Sequence, residues 1–134
     1  MSDTAANKAL VVKAITALFI DGDAAAIDRY WGDPTGQYIN HNPQTPNGRD
    51  GMRAFLAAAG PLTYQVGMAA AAGDIVMVHG RYERPDSTAV IAVDMFRVKD
   101  GRIVEHWDVL QDEVADTVNG NPMFTVPAAA EAAA

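Results

Sequence analysis

The hydrophobic pattern changes period at Leu62, and that change restricts what the chain can fold into. Before it, apolar residues recur every three or four positions. Leu10, Val11, Ala14, Ile15, Leu18 and Phe19 form one stripe along a helix. After it the period falls to two, the repeat of a strand whose side chains alternate between faces. Four strand candidates follow, over 63–71, 75–84, 89–98 and 102–110. They are separated by Gly73-Asp74, Pro85-Asp86-Ser87 and Lys99-Asp100-Gly101. Short breaks built from turn formers predict antiparallel hairpins. Helices first and a strand meander afterwards predict an α+β fold, with three N-terminal helices on one face of a curved antiparallel sheet.

Local signals place the helix ends. Asp3 or Thr4 is a candidate cap for the first helix, and Asp21-Gly22-Asp23 breaks it. Asp23 reads as the N-cap of a second helix over 24–30, which Gly32-Asp33-Pro34 ends. A short extended run over 37–41 precedes a turn-rich stretch over 42–48. Asp50 then reads as the cap of a third helix that buries Met52, Phe55 and Leu56, before Gly60-Pro61 stops it. A chain of 134 residues has the size of one domain. We expect it to span 1–127, with the alanine-rich 128–134 as a frayed tail.

Charge narrows the partners. The 17 acidic residues outnumber the 10 basic ones, for a formal net charge of −7. That disfavours nucleic acid and anionic membranes. No apolar stretch approaches the ~20 residues that span a bilayer, and no basic, apolar leader opens the sequence. A cytoplasmic protein is the expectation. Without cysteine there is no disulfide framework, thiolate metal site or cysteine nucleophile.

Strand parity gathers polar groups. In the last strand Val104, His106, Asp108 and Leu110 share one face, with Ile103, Glu105, Trp107 and Val109 on the other. In the preceding strand Val90, Ala92, Asp94, Phe96 and Val98 share a face. A three-residue loop closed by Val98 and Arg102 sets Asp94 opposite His106, with Asp108 diagonal to it. Directly paired Cβ atoms lie roughly 5 Å apart and diagonal ones about 7–8 Å. Asp94 sits in Val90-Ile91-Ala92-Val93-Asp94-Met95-Phe96, apolar on both faces, so its carboxylate needs a partner. An adjacent imidazole supplies one. A carboxylate–histidine pair in an apolar cavity, with a second acid beside it, can run acid–base chemistry near neutral pH. A buried pair of this kind can also be purely structural, orienting the sheet.

Other residues are weaker candidates. If Arg84 opposes Ala89, His79 falls beside Asp94, whereas a slip of one residue moves it to the other face. His41 either bonds the Asn40-His41-Asn42-Pro43 turn or lines the cavity mouth, and Tyr38 is within reach of the cavity. Phe55 and Phe96 help set its volume. Trp107 points away from His106, toward core packing or a subunit interface. His79, His106, Asp94 and Asp108 are suitable metal-ligand types, but none has helical i, i+4 spacing, and a metal is not expected. There is no phosphate-binding glycine loop, nucleophile elbow or dinucleotide fingerprint.

Three segments carry a family resemblance: Tyr38-Ile39-Asn40-His41-Asn42-Pro43, the run from Val93 to Val104 through Lys99-Asp100-Gly101, and Glu105-His106-Trp107-Asp108. With the order of elements, the chain resembles the nuclear transport factor 2-like superfamily, and within it the SnoaL-like proteins, named after polyketide cyclases that close a ring by intramolecular aldol condensation. The resemblance runs from about Ala9 to Phe124. It implies a cone-shaped fold with a hydrophobic cavity, a homodimer through the sheet and no metal or organic cofactor. It also implies an acid–base Asp near the end of the last strand, a position that Asp108 matches. His106 and Asp94 match cavity positions, and His41 matches a polar residue at the mouth.

Three functional readings follow. In the first, a cofactor-independent enzyme uses Asp108, helped by His106 and Asp94, to take a proton alpha to a carbonyl of a small hydrophobic compound, while His41 or Tyr38 bonds the enolate oxygen. In the second, Asp94 and Asp108 position water as in an epoxide hydrolase, although Arg97 is at the wrong spacing to assist. In the third, the fold is a small-ligand-binding or dimerisation module, and the polar cluster is structural. Fold alone does not choose among them.

Overall fold

A computed structural model describes residues 3–127. The expected alanine-rich tail lies outside the described residues. Helix α1 spans Thr4–Ile15 and continues as a π-helical turn, Thr16–Ile20. Asp3 caps it by accepting the Ala6 N–H at 3.0 Å. Its buried side, Val11, Ala14, Ile15 and Leu18, is the stripe read from the sequence. Helix α2 is shorter than expected, Ala26–Tyr30. Asp23 still acts at its start, accepting the Ala25 N–H at 3.1 Å. Helix α3 spans Gly48–Ala59, with Asn47 rather than Asp50 at the N-cap position. Asp50 instead lies in the first turn, bonded to Arg53.

The sheet has five strands in the order β1-β5-β4-β3-β2. They are β1 Ile39–Asn40, β2 Thr63–Ala72, β3 Ile75–Glu83, β4 Val90–Lys99 and β5 Arg102–Asp112. β2 to β5 form the expected antiparallel meander. The extended run before α3 joins as a two-residue edge strand, parallel to β5, pairing Ile39 with Glu105 and Asn40 with His106. The helices pack on one face of the sheet, and the core fills the space between. No helix among the described residues is long and apolar enough to cross a membrane.

Two registers differ from the sequence reading, each for a turn-level reason. The β4–β5 hairpin closes on Lys99 and Arg102. Its two central residues, Asp100 and Gly101, have φ of 51° and 73°, as a tight hairpin turn requires. A bulge then leaves Val104 unpaired, so that Val98 meets Ile103 while Arg97 meets Glu105. The bulge reverses parity at the start of β5. Ile103, expected on the outer face, is fully buried in the core. The β3–β4 hairpin pairs Tyr82 with Val90, one residue from the predicted register. Asp86, at φ 61°, turns the chain, and residues 84–89 separate the strands where the prediction left only 85–88.

The end of α2 is fixed from outside. Helix C-termini leave carbonyls unpaired, and here arginines take them. Arg102 donates to the carbonyls of Asp28, Arg29 and Trp31, and Arg49 donates to those of Trp31 and Asp33. Trp31, the next residue, is fully buried and bridges to Ile103.

Behind the sheet, the segment after β5 returns across its outer face. Phe124 packs on His79 with ring centroids 5.7 Å apart. It also lies over Gly67, where an added Cβ would meet the Phe124 ring at 2.7 Å and the Thr125 carbonyl at 2.7 Å. Gly67→Ala should therefore lift this segment and destabilise the fold by about 1–3 kcal/mol. Thermal unfolding measures the loss, and increased proteolysis after residue 113 locates it.

Candidate functional site

Residues from both halves of the chain line a cavity of about 480 Å3 between the helices and the inner sheet face. That volume falls in the usual range for small-molecule sites, about 300–1,000 Å3. Phe19, Met52, Phe55 and Phe96 give it apolar walls, and Asp94, His106 and Asp108 form a polar cluster on the sheet side. Exposed Gln44, Arg84 and Leu110 mark the open end.

The bulge changes who faces whom. Asp94 lies directly opposite Asp108, and His106 opposite Phe96. His106 is thus diagonal to Asp94 rather than paired with it. All three stay on the inner face, because the register moved by two residues and not one. His106 Nε2 reaches Asp94 Oδ1 at 2.8 Å and lies 3.9 Å from Asp108 Oδ2. The three side chains are nearly buried, at 10%, 5% and 11% exposure for His106, Asp94 and Asp108. Two carboxylates opposed in an apolar wall repel each other, and the imidazole between them relieves that repulsion.

Further partners come from residues that sequence reasoning did not select. The Tyr82 hydroxyl donates to Asp94 Oδ2 at 2.7 Å. Asn40 Oδ1 meets His106 Nδ1 at 3.0 Å, and Asn42 Nδ2 donates to Asp108 Oδ2 at 2.8 Å. Asp94 therefore has both oxygens engaged and His106 both nitrogens. Asp108 Oδ1 has no partner among the described residues. Parity could have found Tyr82, but the same one-residue slip that turned His79 inward in the prediction turned Tyr82 outward. Asn40 and Asn42 left only a faint signal: polar residues flanking His41 next to a turn.

Tyr38 lines the cavity and is 1% exposed. Burial, and next to it the negative field of Asp94 and Asp108, pushes its hydroxyl far above the ordinary phenol range, so it remains a neutral donor. The Trp31 indole nitrogen sits beside it, yet it is buried without a well-formed hydrogen bond. Burial followed by the Asp94 charge likewise raises Tyr82. Phe55 and Phe96 line the cavity as expected.

Two candidates lie elsewhere. His79, placed beside Asp94 by the predicted register, pairs with Val93 and packs against Phe124 on the outer face. His41, expected at the cavity mouth, also faces outward. It bonds Glu105 at 2.7 Å and stacks on Trp107, with ring centroids 5.0 Å apart and planes 2° from parallel. Arg97 completes that outer cluster, bonding Glu105 and Asp74.

Donor atoms of Asp94, His106 and Asp108 all lie within 4.8 Å of one another, as a cation site would need. The fit is poor. Nε2 and Asp94 Oδ1 are joined directly by a hydrogen bond, and Tyr82 and Asn42 already donate to the carboxylates. A metal taking Nε2 and Asp94 Oδ1 would have to break the bond that joins them.

The SnoaL-like domain family matches residues 12–106. No curated protein sequence matches the chain. Among solved structures, a protein of Kribbella flavida provisionally named a ketosteroid isomerase superposes with a TM-score of 0.71 at 18% identity, over 87% of this chain and 86% of that one. TsrD of Streptomyces laurentii gives 0.65 at 21% identity, over 83% and 92%. A protein of Acidithiobacillus ferrooxidans provisionally named a polyketide cyclase gives 0.65 at 18%, over 83% and 92%. At these identities the structures establish the fold alone.

The outer cluster has its own pH signature. The hydrogen bond from His41, and after it Arg97, holds the Glu105 carboxyl below the usual range. Its stabilisation is complete above the unfolded carboxylate range and is lost as pH falls through the lowered folded value. Glu105→Gln should flatten the acid limb of Tm against pH by about 1 kcal/mol or less, leaving ligand affinity in the cavity unchanged. Since the family match covers most of the chain and the fold agrees with it, this protein belongs to the SnoaL-like domain family.

Proposed function

We propose that this protein is a cofactor-independent acid–base enzyme acting on a small hydrophobic carbonyl compound, in an aldol-type cyclisation or a related isomerase or lyase reaction. The observation that carries this reading is the unpartnered Oδ1 of Asp108. It is the one oxygen of the buried cluster left free among the described residues, and it belongs to a residue lining an apolar cavity. A carboxylate held there, at 11% exposure, keeps little of its hydration shell and presents an acceptor to the cavity.

In this mechanism Asp108 takes a proton from the carbon alpha to a carbonyl. The C–H electron pair forms the enolate double bond, and the carbonyl pair moves onto oxygen. The neutral Tyr38 hydroxyl donates to that oxygen. The enolate carbon then bonds to a second carbonyl carbon, whose oxygen takes the proton back from Asp108. Protons and electrons balance without a metal or redox partner. His106 and Asp94 hold Asp108 in place and offset its charge. The names given to the structural relatives, a ketosteroid isomerase and a polyketide cyclase, accord with proton abstraction beside a carbonyl.

This reading is favoured over water activation by two acids, because both Asp94 oxygens are engaged. Arg97, which could have assisted that chemistry, is bound to Asp74 and Glu105 behind the sheet. We further propose a cytoplasmic homodimer formed through the outer sheet face, where Met68, Met77 and Val109 are exposed.

The test is hydrogen–deuterium exchange alpha to the carbonyl of a bicyclic ketone, followed by NMR in D2O. The wild type should catalyse it. Asp108→Asn should lower the rate about 100-fold or more while the fold is kept, and Tyr38→Phe about 10-fold or more. A loss below about threefold for Asp108→Asn removes it as the base. Ligand affinity without exchange moves the protein to the binding-module class.

A further inference from the structure

The turn after β1 carries information about where the hydrogens lie in the cluster. An asparagine amide can be turned over, but backbone N–H groups fix the sense of both asparagines here. The Asn42 N–H donates to Asn40 Oδ1 at 2.9 Å. The atom facing His106 Nδ1 is therefore an oxygen, and Nδ1 must carry the hydrogen between them. The Gln44 N–H donates to Asn42 Oδ1 at 2.9 Å. The Asn42 group facing Asp108 is therefore the NH2, and Asp108 Oδ2 must accept.

The other side of the ring is also crowded with acceptors. His106 Nε2 meets Asp94 Oδ1 at 2.8 Å and lies 3.9 Å from Asp108 Oδ2. Asp94 Oδ2 already accepts from Tyr82. The groups facing the ring are then Asn40 from β1, Asp94 from β4 and Asp108 from β5, with the Phe96 ring tilted against it at 5.1 Å between centroids. Tyr82 from β3 acts through Asp94, and Tyr38 lines the same cavity as a neutral phenol. Among the described residues, both ring nitrogens thus face an acceptor oxygen, and neither faces a donor.

We propose that Asn40 is a positioning residue that holds His106 as a doubly protonated imidazolium, with Asn42 turning Asp108 toward the cavity as a hydrogen-bond acceptor. His106 is then a fixed charge and not the group that shuttles the proton. Nδ1–H is committed to Asn40, Nε2–H to Asp94, and the ring has no lone pair to receive a substrate proton. The proton traffic is left to Asp108 alone, and a bound ligand meets an anionic acceptor backed by a buried cation. That catalytic consequence rests on the acid–base reading above, whereas the protonation state does not.

The experiment is 15N NMR of the full chain labelled at histidine, at neutral pH. The three histidines are assigned with His41→Gln and His79→Gln, whose side chains both lie on the outer face of the sheet. In the wild type, both nitrogens of His106 should resonate as protonated nitrogens. Asn40→Asp keeps an acceptor in place and should keep that signature. Asn40→Leu removes it and should convert His106 to the neutral ring, with one unprotonated nitrogen. A neutral His106 in the wild type overturns the proposal, whichever nitrogen is bare. A charged His106 in Asn40→Leu overturns the role of Asn40. Should Asn40→Leu not fold, the wild type and Asn40→Asp still decide, because a neutral ring in either contradicts it. None of these signals requires turnover, so a failed exchange assay with an intact imidazolium signature rejects the enzyme reading and spares this one.

Discussion

Everything at the candidate site depends on the register between β4 and β5. The two left-handed residues of the Asp100-Gly101 turn, together with the bulge at Val104, set it. An odd slip would send Asp94 and the His106–Asp108 pair to opposite faces. The bulge has a second effect, because it lets Ile103 enter the core while His106 still faces the cavity. The buried Trp31 bridges to that same Ile103, so α2 is fastened at the point where the strand changes parity.

On this frame the cost of burying charge is met locally. Three ionisable groups sit in an apolar wall, where an unpaired carboxylate or imidazole would be strongly disfavoured. Each is supplied with partners: Asp94 by Tyr82 from β3, His106 by Asp94 from β4 and Asn40 from the parallel edge, and Asp108 by Asn42 from the turn after it. The short β1 thus brings the 40–44 turn against His106 and Asp108, and so puts the asparagines in reach. The one oxygen left over, on Asp108, faces the space where a ligand would lie.

Much of this was legible in the sequence. The change of period at Leu62 separates helices from sheet, and strand parity puts Asp94, His106 and Asp108 on one face. What parity cannot supply is loop length. Pro85-Asp86-Ser87 closes β3–β4 one residue away from the predicted pairing, which exchanges Tyr82 for His79 at the cavity. His41 was misplaced for a related reason. In a strand of two residues, alternation has too little length to show which side chain points inward. The parallel pairing of β1 with β5 left no periodic signal, and with it the partners Asn40 and Asn42 were hidden. The cap of α3 at Asn47 was masked by the more conspicuous Asp50.

The SnoaL-like fold offers a cavity, and the chemistry depends on what lines it. In this chain the lining is mostly apolar, with acceptor and donor on separate groups, Asp108 and Tyr38. The most direct measurement is a crystal structure with an unreactive bicyclic ketone bound. Our account predicts the ketone oxygen within hydrogen-bonding distance of the Tyr38 hydroxyl and its alpha carbon about 3–3.5 Å from Asp108 Oδ1. A ketone bound with its carbonyl turned toward Arg84 at the open end, and its alpha carbon remote from Asp108, would contradict it.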